Sequence, residues 1–436
     1  MKSSFQTIII IVFIGAFIVA VIAFSGILGG STTRNASTEP TGQVVVWGIF
    51  SSEIMSSYVS DFNAEGNGYT LLYEQHAPET FYQDLIVALA NNASPDVVIF
   101  SSEIFSQFKD KLYTIPYQAY TERTFRDTNV DGAQIFLTKE GVIGLPLTVD
   151  PLVVYYNKDI LAAQNFVIPP RTWTNLAASV PILTKRTAQN TISQSTIALG
   201  EADNISHYRD ILSALFLQTG NSIVSTDPTT GAVVTALTTG GSSTGGLPTA
   251  DALTFYTGFA NPTSASYSWN RSLPESLQQF LAGKSAFYIG RASELFTIQA
   301  QNPNLNFDVM ELFQPSDAAR AVTYGSYSAV GVMKSAPNFT AAYAAAGAMA
   351  SPEGVDSISK RFSLPPARRD LLLVAQQNPY VSVFFRAALS TFSWPDPNIA
   401  TTKSVFRAMI QNVNSGRSDA QTAIYEATRD LQTTAR

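Results

Sequence analysis

The stretch Gly144-Leu-Pro-Leu-Thr-Val-Asp150-Pro-Leu-Val-Val-Tyr-Tyr156-Asn-Lys158-Asp-Ile-Leu161, followed by Pro169-Pro-Arg-Thr-Trp173, decides how the rest of the chain is read. It sets one acid, Asp150, between two apolar, β-rich runs. Proline has no amide hydrogen to give to a sheet ladder, so Pro151 predicts a break or a change of direction. The run Leu152–Tyr156 then resumes as a buried strand, and because strand side chains alternate, one of Tyr155 and Tyr156 faces inward. A carboxylate held where one strand ends and the next begins sits at the edge between two packed units, where ligand clefts form.

Upstream of that stretch the pattern is β-α-β-α-β. Val44–Trp47 reads as a strand, and Ser51 and Ser52 precede a helix with Ile54, Met55, Tyr58, Val59 and Phe62 at helical spacing. Tyr69–Glu74 is the next strand, Glu79–Asn92 an amphipathic helix, and Pro95–Phe100 a strand apolar enough to be buried on both faces. Such alternation implies a parallel sheet with right-handed crossovers and a ligand crevice beyond the carboxyl ends of its strands. Downstream, Thr172 is placed to cap a helix beginning at Trp173, and helical patterns follow at Tyr208–Gln218 and Asp251–Phe259. Thr226–Ala250, rich in Thr, Gly and Ser, reads as an exposed hairpin and loop. A helix-to-strand step at Leu277–Ile289, an Ala-rich helix at Ala336–Met349 and two closing helices, Ser404–Asn412 and Ser418–Gln432, complete the chain.

With 436 residues the chain is too long for one ordinary core, so two lobes are expected. The formal net charge of −6 excludes the clustered basic face that nucleic acids require. The chain has no cysteine, which removes disulfides, thiolate metal sites, cysteine nucleophiles and a lipid-modified N-terminal cysteine. Its two histidines, His76 and His207, are isolated, so no metal site is expected. Gly241-Ser-Ser243-Thr-Gly245 matches G-x-S-x-G in letters only, since a nucleophile elbow needs an apolar strand before it and a helix after it. No dinucleotide or phosphate-loop motif is present, and no catalytic residue and no cofactor is assigned.

Ile8–Leu28 is 21 residues without a charge, long enough to span a bilayer. Lys2 before it places residues 1–7 in the cytoplasm and the rest outside. Val21-Ile-Ala23 offers a small-residue cleavage site, so a removed signal peptide is the alternative to a retained anchor. Residues 29–43, rich in Ser, Thr, Gly and Asn, form a flexible tether.

The opening stretch resembles the first crossover of the extracellular solute-binding proteins of ABC importers, of the sugar-binding, maltodextrin-binding-like type. Phe280-Leu-Ala-Gly-Lys284-Ser-Ala-Phe-Tyr-Ile-Gly290 is similar to that family's return strand, and Tyr324-Gly-Ser-Tyr327 to its second crossover. Tyr267-Ser-Trp269 and Trp394-Pro-Asp-Pro resemble its ligand-side loops. The resemblance implies a two-lobed α/β fold of the periplasmic-binding-protein type II class with hinge crossovers, here preceded by an N-terminal transmembrane helix. It divides the chain into a first lobe of 44–150 plus 285–328 and a second of 151–284 plus 329–436. It implies a monomer that takes a carbohydrate by hinge closure and passes it to a separate ABC permease. A receptor component signalling through a membrane partner and an anchored carbohydrate-active enzyme are the alternatives.

Sugars present flat C–H faces and rims of hydroxyls, so a site for them needs aromatic planes together with acids, amides or arginines. Trp269 and Trp394 stand in polar loops, where an exposed indole is costly unless it meets a ligand. The resemblance puts both on the ligand side, Asp150 and Glu103 among the ligand-facing acids, and Tyr327 at the second crossover. Arg291, at a strand end, either forks onto ligand hydroxyls or pairs with Glu294. Trp47 and Trp173 read as core, and Arg368-Arg369 as a tie between a loop and the second lobe.

Overall fold

The computed structural model describes residues 40–226, 233–240 and 246–434. The expected anchor at 8–28, nearly all of the tether and Gly241–Gly245 lie outside them. Among the described residues no helix is long and apolar enough to cross a membrane.

The first lobe begins as the sequence predicts. Strand β1 (Gly42–Gly48), helix α1 (Ser52–Ala64), β2 (Tyr69–Gln75), α2 (Phe81–Ala90) and β3 (Val97–Ser101) alternate, and β1 pairs in parallel with both β2 and β3. All of β3 is buried, as its unbroken apolar run requires.

The chain then enters β4, 13 residues from Leu145 to Asn157. It runs straight through Pro151 without the expected break. The reason is the neighbour on that edge, β8 (Thr323–Val332), which places Gly325 opposite Pro151 and Ser326 opposite Asp150. Proline's missing donor is tolerated where the facing residue is a glycine whose backbone can come close. A Cβ at Gly325 would lie 2.6 Å from the Asp150 carbonyl oxygen and 2.8 Å from Pro151 Cα. Along β4 the side chains change allegiance at Asp150. Leu145, Leu147 and Val149 belong to the first-lobe core, Leu152 and Val154 to the main second-lobe core, and Val153 and Tyr155 to a third cluster beneath it. Of the two tyrosines Tyr155 is the buried one, satisfying the alternation.

Beyond β4 come α3 (Trp173–Leu183), β5 (Ile192–Ile197), α4 (Tyr208–Gln218), α5 (Pro248–Gly258), β6 (Ser285–Arg291) and β7 (Phe307–Glu311). Thr172 caps α3 as expected, its hydroxyl accepting from the Asn175 amide. Val224–Thr226 and Val233–Thr235 form the anticipated hairpin, while residues 248–250 already belong to α5. Both β6 and β7 pair antiparallel with the second half of β4, and the side chains of β6 fill second-lobe clusters.

This corrects the division of the chain. Residues 285–322 complete the second lobe rather than the first, because β6 and β7 take the only free edges of the β4 half that has already left the first lobe. The chain returns along β8, where Tyr324 packs in the second-lobe core and Tyr327 in the first. Helices α6 (Phe339–Met349) and α7 (Pro352–Phe362) then pack on the first-lobe core, not the second. A third passage, between Leu372 and Val381, returns the chain to the second lobe. The short strand β9 (Thr391–Phe392) pairs with the start of β8, and α8 (Ile399–Asn414) and α9 (Ala420–Thr434) close the second lobe. Arg369 donates to the Asn129 carbonyl and to Asp131, so the arginine pair ties its loop to the first lobe.

Gly325→Val would force a side chain into the contact between the crossing strands. It is expected to destabilise the protein by about 1–3 kcal/mol, the usual cost of overpacking, read as a lowered denaturation midpoint. An unchanged midpoint would show that the ladder tolerates a side chain there.

Candidate functional site

The charged residues of both lobes converge where the crossing strands pass between them. Helix α4 begins His207-Tyr-Arg209-Asp210, three ionisable side chains on the first turn of a helix that is otherwise apolar and buried. An acid in a helix's first turn is favoured by the partial positive charge of that end. Arg209, 2% exposed, donates to Asp396, to Asp210 at 2.9 Å, to Glu103 at 3.3 Å and to the Tyr324 hydroxyl at 3.0 Å. Its guanidinium lies 4.9 Å from the centre of the Trp394 ring. Asp396 is held between Pro395 and Pro397 ahead of α8, and also accepts from Thr402 at 2.7 Å and the Asn398 amide at 3.0 Å.

Arg291, at the end of β6, donates to Asp210 at 2.6 Å and to Glu103 at 2.7 Å. Its amide, not its guanidinium, meets Glu294, at 2.9 Å. Glu103 is the first lobe's only charged member of this network, and one of its oxygens receives Arg209, Arg291 and the Tyr324 hydroxyl. Ser102 with Ser393 at 3.1 Å, and Asp150 with the Ser293 amide at 3.0 Å and hydroxyl at 2.7 Å, extend the contact between lobes. Buried charges survive only when paired and hydrogen-bonded; here three cations (Arg209, Arg291, His207) interlock with four acids (Glu103, Asp210, Glu294, Asp396).

The electrostatics follow from that packing. Burial opposes charge on Arg209 and Arg291, but the acids around them outweigh it and hold both guanidinium groups protonated. Burial would raise Asp210, yet Arg291 and His207 keep its carboxyl well below the usual carboxylate range. Asp150 moves the other way: its burial exceeds the pull of Arg291 and Ser293 and raises it. For His207, burial alone would lower the pKa, while hydrogen bonds to Asp210 and Glu294 reverse this and push it up to about 9. Among the described residues no group of acids and histidines has the geometry to hold a metal ion.

The structure therefore brings together three of the six residues singled out from sequence, Glu103, Asp150 and Arg291, at the passage between lobes. The other three lie inside the lobes. Trp269 is 0% exposed in the second-lobe core, its indole N–H on Asn204 at 3.0 Å. Trp394 is 3% exposed, its N–H on Ser213 at 3.2 Å. Neither ring presents the solvent-facing plane expected of a loop tryptophan, because each loop folds its indole inward and satisfies the one donor. Tyr327 is buried in the first lobe and donates to the Thr391 carbonyl at 2.6 Å. Trp47, read as core, is only half buried, its ring 4.0 Å from that of His76 at the carboxyl ends of β1 and β2. Trp173 is core as expected. The sequence reasoning passed over Arg209, Asp210, His207, Glu294 and Asp396. The signal was present in three ionisable residues opening an apolar helix, and in an aspartate clamped between prolines.

The profile of the bacterial extracellular solute-binding protein family matches residues 57–381, and the chain belongs to that family. It is a family of binding proteins, not of enzymes. Among solved structures the fold is similar to a cyclic alpha-maltosyl-1,6-maltose binding protein from Arthrobacter globiformis, with a TM-score of 0.72 at 18% identity over 90% of this chain and 98% of that one. A cyclo/maltodextrin-binding protein complexed with maltotetraose gives 0.72 at 16% over 91% and 98%. The sugar-binding protein of the phytopathogen Xanthomonas citri gives 0.71 at 16% over 90% and 97%. At such identities the likeness is one of fold.

Two predictions follow from the buried groups. Trp269→Ala should cost about 3–5 kcal/mol of stability, as for other buried indoles, which urea denaturation would measure. His207 binds its proton more tightly folded, at about 9, than at its ordinary 6.5, so its stabilisation is complete below pH 6.5 and lost as pH rises to 9. The stability gap between wild type and His207→Asn should therefore shrink over that window by on the order of 3 kcal/mol. A gap that stays constant with pH would mean the imidazole is neutral throughout.

Proposed function

We propose that the protein is the solute receptor of an ABC importer, capturing a carbohydrate between its lobes and presenting it to a membrane permease. The observation that carries this reading is the placement of Glu103 and Asp150, at the first-lobe side of the passage, opposite Arg291 and Ser293 on the second. Carboxylates accept from sugar hydroxyls, and a guanidinium or serine donates to them. Neither lobe supplies both sets of groups, so a ligand bound between them favours the closed arrangement by the difference in its contacts between states. The likeness of the fold to binders of maltodextrins and other sugars supports a carbohydrate over other solutes. The apolar segment at 8–28 would hold the receptor beside its permease on the outer face of the membrane.

A thermal-shift screen of the full chain against neutral oligosaccharides tests the reading. A ligand at 100 times its dissociation constant adds about 2.7 kcal/mol to stability, a readily measured rise. Asp150→Ala and Arg291→Ala should each weaken the responding sugar by roughly tenfold to a hundredfold, the worth of a hydrogen bond to a charged group. Absence of a shift with every carbohydrate, alongside a response to peptides or other solutes, would overturn the assignment.

A further inference from the structure

A second recess lies wholly within the second lobe. It is a groove of about 930 Å³ between the last turn of α5, the loop 260–271 and the carboxyl end of α8, with Glu201 in its wall. The charged network sits at the opposite end of α8, beside Asp396. From the Asn398 cap to Asn414 the helix advances about 24 Å at 1.5 Å per residue. Between the two ends Asp203 is pinned to α8 by Arg407 at 3.2 Å and Gln411 at 3.0 Å, which walls the groove off from the network.

The chemistry of this groove is that of a polyol site. Glu201 is buried, and the only hydrogen-bond partner of its carboxylate among the described residues is Arg271, at 3.3 and 3.4 Å. Those are long contacts for a charged pair, whose usual spacing is about 2.7–2.9 Å. Arg271 is 63% exposed, so little holds it there. A carboxylate can accept several hydrogen bonds, and removing one from water with so few costs free energy unless another donor arrives. A hydroxyl placed between the pair would donate to Glu201 and accept from Arg271, giving each a shorter partner. Acid and guanidinium together carry no net charge, which suits an uncharged ligand. Asn261, Ser264 and Asn414 add amides and a hydroxyl, while Phe255 supplies an apolar face for sugar C–H groups. The volume is that of an ordinary small-molecule site.

We propose that this groove is a second binding site for a neutral oligosaccharide, separate from the passage between the lobes and independent of their closure. The test is calorimetric titration of the full chain with maltotetraose, mannotriose and tagatose at millimolar concentration. The wild type should show a second event, weaker than the first. Arg291→Ala should weaken the first and leave the second in place. Glu201→Gln should weaken the second at least tenfold without altering the first, and Ser264→Phe, which fills the groove, should abolish it. If Ser264→Phe folds poorly, Glu201→Gln carries the test, since it keeps the shape of the side chain. A one-to-one stoichiometry with all three sugars, or a second event indifferent to Glu201→Gln, overturns the proposal. A Glu201-dependent event with no Arg291-dependent one would sustain it while removing the carbohydrate from the cleft, so the two readings fail separately.

Discussion

A hydrogen-bonded ladder between the two crossing strands fixes how the lobes can be placed, because both passages of the chain lie side by side within it. Residues Leu145–Pro151 of β4 run antiparallel to Gly325–Val330 of β8. Each strand hands its side chains from one core to the other within a few residues, at Asp150 on one and between Tyr324 and Tyr327 on the other. The ladder is weakest where Pro151 offers no donor and Gly325 has no side chain. A bend concentrated there would swing the lobes while leaving both cores packed, since the apolar clusters on either side share no part of that step.

The charged network is the other half of this arrangement. Its second-lobe members are anchored by α4, β6 and the turn before α8, and would be costly to leave unpaired. Glu103 is the exception, a first-lobe carboxylate reaching into a second-lobe site. Opening the lobes takes it away from two arginines, which still keep Asp210 and Asp396 as partners. The network thus stays charge-paired in either state, and the contact broken on opening is a single carboxylate that water or a ligand hydroxyl can replace.

Much of the fold was legible because local patterns and global packing agree. The β-α-β-α-β start, the Thr172 cap and the closing helices all followed from periodicity and capping residues alone. The lobe membership of residues 285–372 did not, since nothing in Ser285–Arg291 or in the Ala-rich Phe339–Met349 says which sheet edge or core it joins. That is settled by which half of β4 still has free edges, a property of the assembled sheet. The same holds for the site. Acids at strand ends could be placed from sequence, whereas Trp269 and Trp394 misled because a polar loop was taken as an exposed one. The hydrogen bonds that turn those indoles inward come from Asn204 and Ser213, 65 and 181 residues away.

The thread of the chain through both lobes has a consequence for how it is made. The first lobe's sheet gains the neighbour of β3 only with residues 328–332, and the helices that cover its core end at Phe362. Neither lobe is a contiguous piece of sequence, so no early segment can mature while the rest is still being synthesised. Contacts so distant along the chain form slowly. The polypeptide therefore stays unfolded through most of its synthesis, which is the condition in which a chain can be threaded through a membrane before it takes its shape.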